Sequence, residues 1–174
     1  FRYSDMLLAF TGNGKGKTTA AIGQAIRAIG YGKKVLMVQF IKSPKWPSGE
    51  EKTALNLRPF FKIRKFGEGF VLLKNNLQKH KEAAEKGWLY VKKAIESKKW
   101  DLVILDEINA AVDLQLLKIS AIINFLKKNK DSFIILTGRN APKEFIEIAD
   151  LVTEMKEIKH PYNRGIAAEK GVEY

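Results

Sequence analysis

The stretch Met6-Leu7-Leu8-Ala9-Phe10-Thr11-Gly12-Asn13-Gly14-Lys15-Gly16-Lys17-Thr18-Thr19 decides the fold. Its first five residues are an unbroken apolar run, the length of a buried strand and too short for a helix. A glycine-rich turn follows. Beyond it Ala21, Ile22, Ala25, Ile26 and Ile29 recur at three- and four-residue spacing, which predicts a helix from Thr18 to Ile29, stopped by Gly30 and Gly32. A glycine turn between a strand and a helix is where a phosphate-binding Walker A loop must sit to work. There the glycines let successive N–H groups face one oxyanion, and the helix N-terminus adds partial positive charge. Lys17 would neutralise phosphate oxygens, and Thr18 would offer its hydroxyl to Mg²⁺. The strict pattern opens with a glycine where this chain has Thr11, while Gly12 and Gly14 keep the loop pliant.

Working outward, Val35 to Phe40 is the next buried strand, and the two strands with the helix between them make a βαβ unit of a parallel sheet. Leu102 to Glu107 and Phe133 to Thr137 read as further strands, Phe61 to Phe66 as a poorer one, and Leu151 to Lys159 as the last. Helices are expected from Leu77 to Ser97, from Leu114 to Lys127, and briefly after Pro142. Residues 42–60, with Pro44, Pro47, Pro59 and Gly49, are expected to be irregular and mobile. The fold class is therefore α/β: one P-loop NTPase domain of RecA-like type over residues 1–174, a mostly parallel sheet flanked by helices.

A second motif agrees with the loop. Ile104-Leu105-Asp106-Glu107 has the Walker B form, an apolar strand ending in acids, and in a parallel sheet it opens at the same edge. Asp106 or Glu107 would hold the metal with Thr18, directly or through water. The nucleotide contacts expected are Gly12, Asn13, Gly14, Lys15, Gly16, Lys17, Thr18, Thr19 and Arg139, the last following a strand on that edge. For Arg139 and Lys15, a plain surface cation is the competing reading.

Composition narrows the classes further. The chain has 174 residues, no cysteine and two histidines, His80 and His160, so disulfides, thiolate nucleophiles and Cys/His metal cages are excluded or disfavoured. A formal charge of +12 favours an anionic partner, although the lysines are spread along the chain. No apolar run approaches a bilayer span, so no membrane association is expected. No element joins aromatic and basic residues in the manner of a nucleic-acid site, and none is expected. The opening Phe1-Arg2-Tyr3-Ser4-Asp5 has neither a signal peptide nor a starting methionine, and the expectation is a cytoplasmic protein with some N-terminal residues missing.

The order of motifs is more specific than any one of them. TGNGKGKTT at Thr11 to Thr19, VQFIK at Val38 to Lys42, GEGF at Gly67 to Phe70, ILDE at Ile104 to Glu107, ILTGRNAP at Ile135 to Pro142, ADLVTEM at Ala149 to Met155 and KHPYNRGIAAEKGVEY at Lys159 to Tyr174 span nearly the whole chain. Together they resemble the P-loop type of ATP:corrinoid adenosyltransferase, which acts on cob(I)alamin or cobyrinic acid a,c-diamide. The resemblance implies that Co(I) of a reduced corrinoid attacks C5′ of ATP and releases triphosphate. It implies Mg²⁺, an electron-donating reductase, a homodimer, and ATP lying reversed relative to ordinary P-loop enzymes. Lys17 would act on the leaving triphosphate, and Glu107 would be a metal carboxylate and not a water-activating base. Phe70 matches an aromatic that packs near the corrin and helps displace its lower axial ligand, but Leu72 stands where the family often has tryptophan. Trp46 is a weaker candidate wall. Family members cover the site with residues ahead of the first strand, of which this chain has few. A P-loop kinase or ATPase acting on the γ-phosphate is the alternative, and a RecA-type nucleic-acid binder a more distant one.

Overall fold

The computed structural model describes residues 5–69 and 77–172. Its strands are β1 (Leu7–Thr11), β2 (Val35–Gln39), β3 (Phe61–Lys65), β4 (Leu102–Asp106), β5 (Phe133–Thr137) and β6 (Leu151–Glu154). The helices are α1 (Lys17–Gly30), α2 (Gly49–Asn56), α3 (Leu77–Glu96), α4 (Ile108–Asp113), α5 (Ile119–Lys128) and α6 (Lys143–Ile148). One sheet runs β3-β2-β4-β5-β1-β6, and each neighbouring pair is parallel. The strand that leads into the glycine turn is thus separated from the strand ending in the acid pair by β5.

Both faces of the sheet are covered, which explains why its central strands are apolar without alternation. Every residue of β2 and β4 is buried. Leu36, Val38, Val103 and Leu105 point into one layer with Trp88, Val91, Ile95 and Phe145, while Val35, Met37, Leu102 and Ile104 point into the other with Ala21, Ala25 and Phe61. Each large side chain buried in this way contributes about 1.5–3 kcal/mol. Parallel strands end together, so the glycine turn, Phe40, Glu107 and Gly138 emerge at one edge of the sheet. Among the described residues no helix is long and apolar enough to cross a membrane.

Three expectations are corrected. Residues 49–56 form α2 where irregular chain was expected; Ser48 caps it and its N–H donates to Glu51 Oε2 at 3.2 Å. That helix buries only Ala54, so it leaves no apolar periodicity to read. The helix expected from Leu114 starts only at Ile119, as α5, because Leu114 ends α4, a short helix that was not expected, and Gln115 takes a φ of 56° in the turn between them. The last strand stops at Glu154, where the chain turns onto the glycine loop.

Candidate functional site

The loop after β1 is shaped by what packs against it. Gly14 N–H donates to the Met155 carbonyl at 2.6 Å, and Met155 N–H donates to the Thr11 carbonyl at 2.8 Å. A Cβ on Gly12 or Gly14 would lie 2.4 or 2.7 Å from that Met155 oxygen, and Gly12 also has a φ of +95°. Neither position accepts a side chain. Lys17, the first residue of α1, is buried and curls back so that Nζ donates to the Gly14 carbonyl at 2.7 Å. Burial lowers its pKa, against the raising pull of Glu107 and Asp106 and with the push of Arg139.

Asp106, at the end of β4, is fully enclosed and engaged on both oxygens. Oδ1 accepts from Thr18 Oγ1 at 2.8 Å and from Thr137 Oγ1 at 2.7 Å, and Oδ2 accepts from Gln39 Nε2 at 2.9 Å. The Thr18 hydroxyl gives its proton to Asp106, which leaves its oxygen lone pairs for a cation. Glu107 follows with a φ of 61°, its N–H donating to Thr137 Oγ1 at 3.0 Å. Its carboxyl is pushed up by burial and by the neighbouring Asp106 charge, while Lys17, Lys42 and Arg139 act in the opposite direction.

Gly138 closes the wall opposite. A Cβ there would meet Glu107 Oε2 at 3.1 Å, and its carbonyl accepts from Asn109 Nδ2 at 2.9 Å. Arg139 is exposed at the rim, within electrostatic reach of Lys17 and Glu107. Asn13, Lys15 and Thr19 are exposed, and Lys15 Nζ donates to the Val172 carbonyl, which brings the C-terminal segment to the loop. Phe70 and Leu72 lie outside the described residues.

Lys17, Thr18, Asp106, Glu107 and Arg139 therefore meet at one edge, as the motifs require. Sequence reasoning missed Gln39, Thr137 and Lys42. The available signal was a lone polar residue closing a buried strand at the ligand edge, as Gln39 closes β2 and Thr137 closes β5. Among the described residues no three Asp, Glu, His or Cys side chains cluster into a cation cage. One hydroxyl and one or two carboxylates suit Mg²⁺ that shares its shell with phosphate oxygens and water. Two surface grooves, one along α2 and β3 and one at the opposite edge of the sheet, do not include the glycine loop.

The sequence model of ATP:corrinoid adenosyltransferase BtuR/CobO/CobP matches residues 4–174. The chain belongs to this family. A corrinoid adenosyltransferase from Sinorhizobium sp is 37% identical over 171 residues, covering 97% of this chain and 80% of that protein. One from Escherichia coli K12 is 36% identical, covering 97% and 85%. A corrinoid adenosyltransferase is a transferase that moves an adenosyl group onto a corrinoid, so ATP and corrinoid are the substrates the family implies. Solved structures share only the fold. The flagellar accessory protein FlaH from Methanocaldococcus jannaschii superposes with a TM-score of 0.57 at 14% identity, covering 86% of this chain and 70% of that one. The KaiC-like protein PH0186 from Pyrococcus horikoshii gives 0.54 at 18%, covering 91% and 76%. Both are consistent with the RecA-like P-loop NTPase architecture of this adenosyltransferase family member.

Proposed function

We propose that this chain transfers the 5′-deoxyadenosyl group of ATP to the Co(I) centre of a reduced corrinoid and releases inorganic triphosphate. The observation that carries the reading is the Lys17–Thr18–Asp106 arrangement at the glycine loop, in a chain whose family transfers adenosyl groups to corrinoids. The cobalt electron pair forms the bond to C5′, and the C5′–O bond breaks with its pair going to the triphosphate. Charge grows on the leaving chain, and the groups that would meet it are loop N–H groups, Lys17 and Arg139. Mg²⁺, held by Thr18 and Glu107 with Asp106 orienting the threonine, supplies further charge stabilisation when bound. No general base is needed. The protein's part is alignment and exclusion of water.

Phe70 serves as the corrin wall that the resemblance implies, and Trp46, 73% exposed, offers a second surface. The corrinoid is cob(I)alamin or a cobyrinic acid a,c-diamide type precursor, and a separate reductase supplies the electron in the cytoplasm. Residues 1–174 act as one domain. A homodimer is supported by β6, an edge strand exposed at all four positions with Leu151 and Val152 on it.

The test is anaerobic incubation with ATP, Mg²⁺ and chemically reduced corrinoid. A light-sensitive alkyl-cobalt spectrum is expected from the parent and, at least about 100-fold slower, from Lys17→Ala. Phosphorylated product or orthophosphate without alkyl-cobalt contradicts the proposal.

A further inference from the structure

Gln39 is completely enclosed at the end of β2, and its amide nitrogen lies between two carboxylates. Nε2 donates to Asp106 Oδ2 at 2.9 Å and, more weakly, to Glu50 Oε1 on α2 at 3.4 Å. The orientation is forced, because a flipped amide would set its oxygen against both anions. Gln39 Oε1 is buried without a hydrogen-bond partner. An apolar side chain would avoid that orphan oxygen but would take away the donor to Asp106 Oδ2. Glu50 is held in turn by the Lys42 ammonium, which bonds the same Oε1. A side-chain chain thus runs Thr18–Asp106–Gln39–Glu50–Lys42, joining α1, β4, β2 and α2.

We infer that Gln39 and Glu50 are positioning residues that hold the Asp106 carboxylate, and through it the Thr18 hydroxyl, in register for a phosphate-bound divalent cation. The inference rests on the metal assignment under Proposed function. Asp106 Oδ1 already receives two hydroxyl protons, so Gln39 is the donor that keeps Oδ2 from rotating toward the cation or away from Thr18. Glu50 then makes α2 part of the site. Its ionised carboxylate fixes the amide from behind, so the helix that carries it is tied to the triphosphate pocket without touching ligand. The neighbouring Glu51 binds Lys65, whose Nζ also donates to the Trp46 carbonyl at 2.7 Å, so the same helix steadies the loop bearing Trp46.

The test measures metal affinity apart from turnover. Mn²⁺ is titrated by electron paramagnetic resonance into the protein–ATP complex of parent, Gln39→Met and Glu50→Gln, and metal-free ATP binding is measured beside it by equilibrium dialysis. The expected result is Mn²⁺ affinity weakened about tenfold by Gln39→Met and about threefold by Glu50→Gln, with metal-free ATP binding within about twofold of parent. Unchanged Mn²⁺ affinity overturns the inference. Equal weakening of both ligands also overturns it, since that marks general loosening. If Gln39→Met does not fold, Glu50→Gln decides alone. If the parent complex itself takes up no Mn²⁺, the metal assignment fails and this inference fails with it.

Discussion

Thr11 Oγ1 accepts a hydrogen bond from the Ala141 N–H at 3.0 Å, tying the start of the glycine loop to the turn that carries Arg139. Thr11 stands where the strict loop pattern has glycine, and the bond accounts for the departure: the hydroxyl satisfies an amide that glycine would leave unpaired. Thr11→Gly, which restores the pattern, should destabilise the protein by about 1–2 kcal/mol and lower its melting temperature by roughly 2–6 °C. Thr11→Ser keeps the hydroxyl and should stay within about 0.5 kcal/mol of parent. Thermal denaturation of both variants checks this, and a Thr11→Gly protein as stable as the parent would refute it.

The segment after β3 runs against the end of β2 at close range. A Cβ on Gly67 would fall 2.0 Å from the Ile41 backbone carbon and oxygen, which cannot yield as a side chain does. Gly67→Ala should therefore cost at least about 2–3 kcal/mol. Gly23, exposed in α1 with nothing within 4 Å of an added Cβ, is the control: Gly23→Ala should stabilise by about 0.5–1 kcal/mol. Urea unfolding of the pair reads both signs in one experiment.

The fold disfavours the charged form of Glu107. Burial and the Asp106 charge disfavour its ionised form, raising its pKa in the fold above the unfolded value. The sign follows: the folded state holds this proton more tightly, so stability falls as pH rises from the unfolded pKa through the folded one. Glu107→Gln should remove that decline and leave the ligand-free protein about 1 kcal/mol more stable at neutral pH, while slowing adenosyl transfer at least about tenfold. Denaturation midpoints against pH, beside initial rates, decide the matter. A variant that is both less stable and fully active would contradict the assignment.

Glu50 behaves in the opposite way. Burial alone would raise its carboxyl, but the hydrogen-bonded Lys42 ammonium overrides this and, with help from Gln39, brings it down to about 2. Its contribution is complete above the ordinary glutamate pKa of about 4.3 and is lost as pH falls toward 2. Glu50→Gln should flatten the acid limb of the stability profile in that window and leave the slope above pH 5 unchanged. An unaltered acid limb would show that the Lys42–Glu50 pair does not anchor α2.

The strands that build the sheet were legible because β2, β4 and β5 are buried on both faces and read as continuous apolar runs. The glycine loop and the acid pair at Asp106–Glu107 were legible together, because a strand–glycine turn–helix and an acid-ended strand open at the same edge of a parallel sheet. α2 was not, since its eight residues bury only Ala54 between prolines. Nor was Gln39: one polar residue after an apolar run reads as the end of a strand, and only the parallel register that sets Gln39 beside Asp106 gives it a partner. The Met155 approach that forbids side chains at Gly12 and Gly14 is likewise a long-range fact, produced by β6 pairing with β1 and invisible to local spacing.

The central claim concerns which bond of ATP breaks, and it is tested most directly with ATP carrying ¹⁸O at the bridge between C5′ and the α-phosphorus. After one anaerobic turnover with reduced corrinoid, mass spectrometry should find the label wholly in inorganic triphosphate, one per alkyl-cobalt formed. Label retained in ADP, with cobalt unalkylated, would mean that phosphorus and not carbon is the electrophile, and would contradict the account.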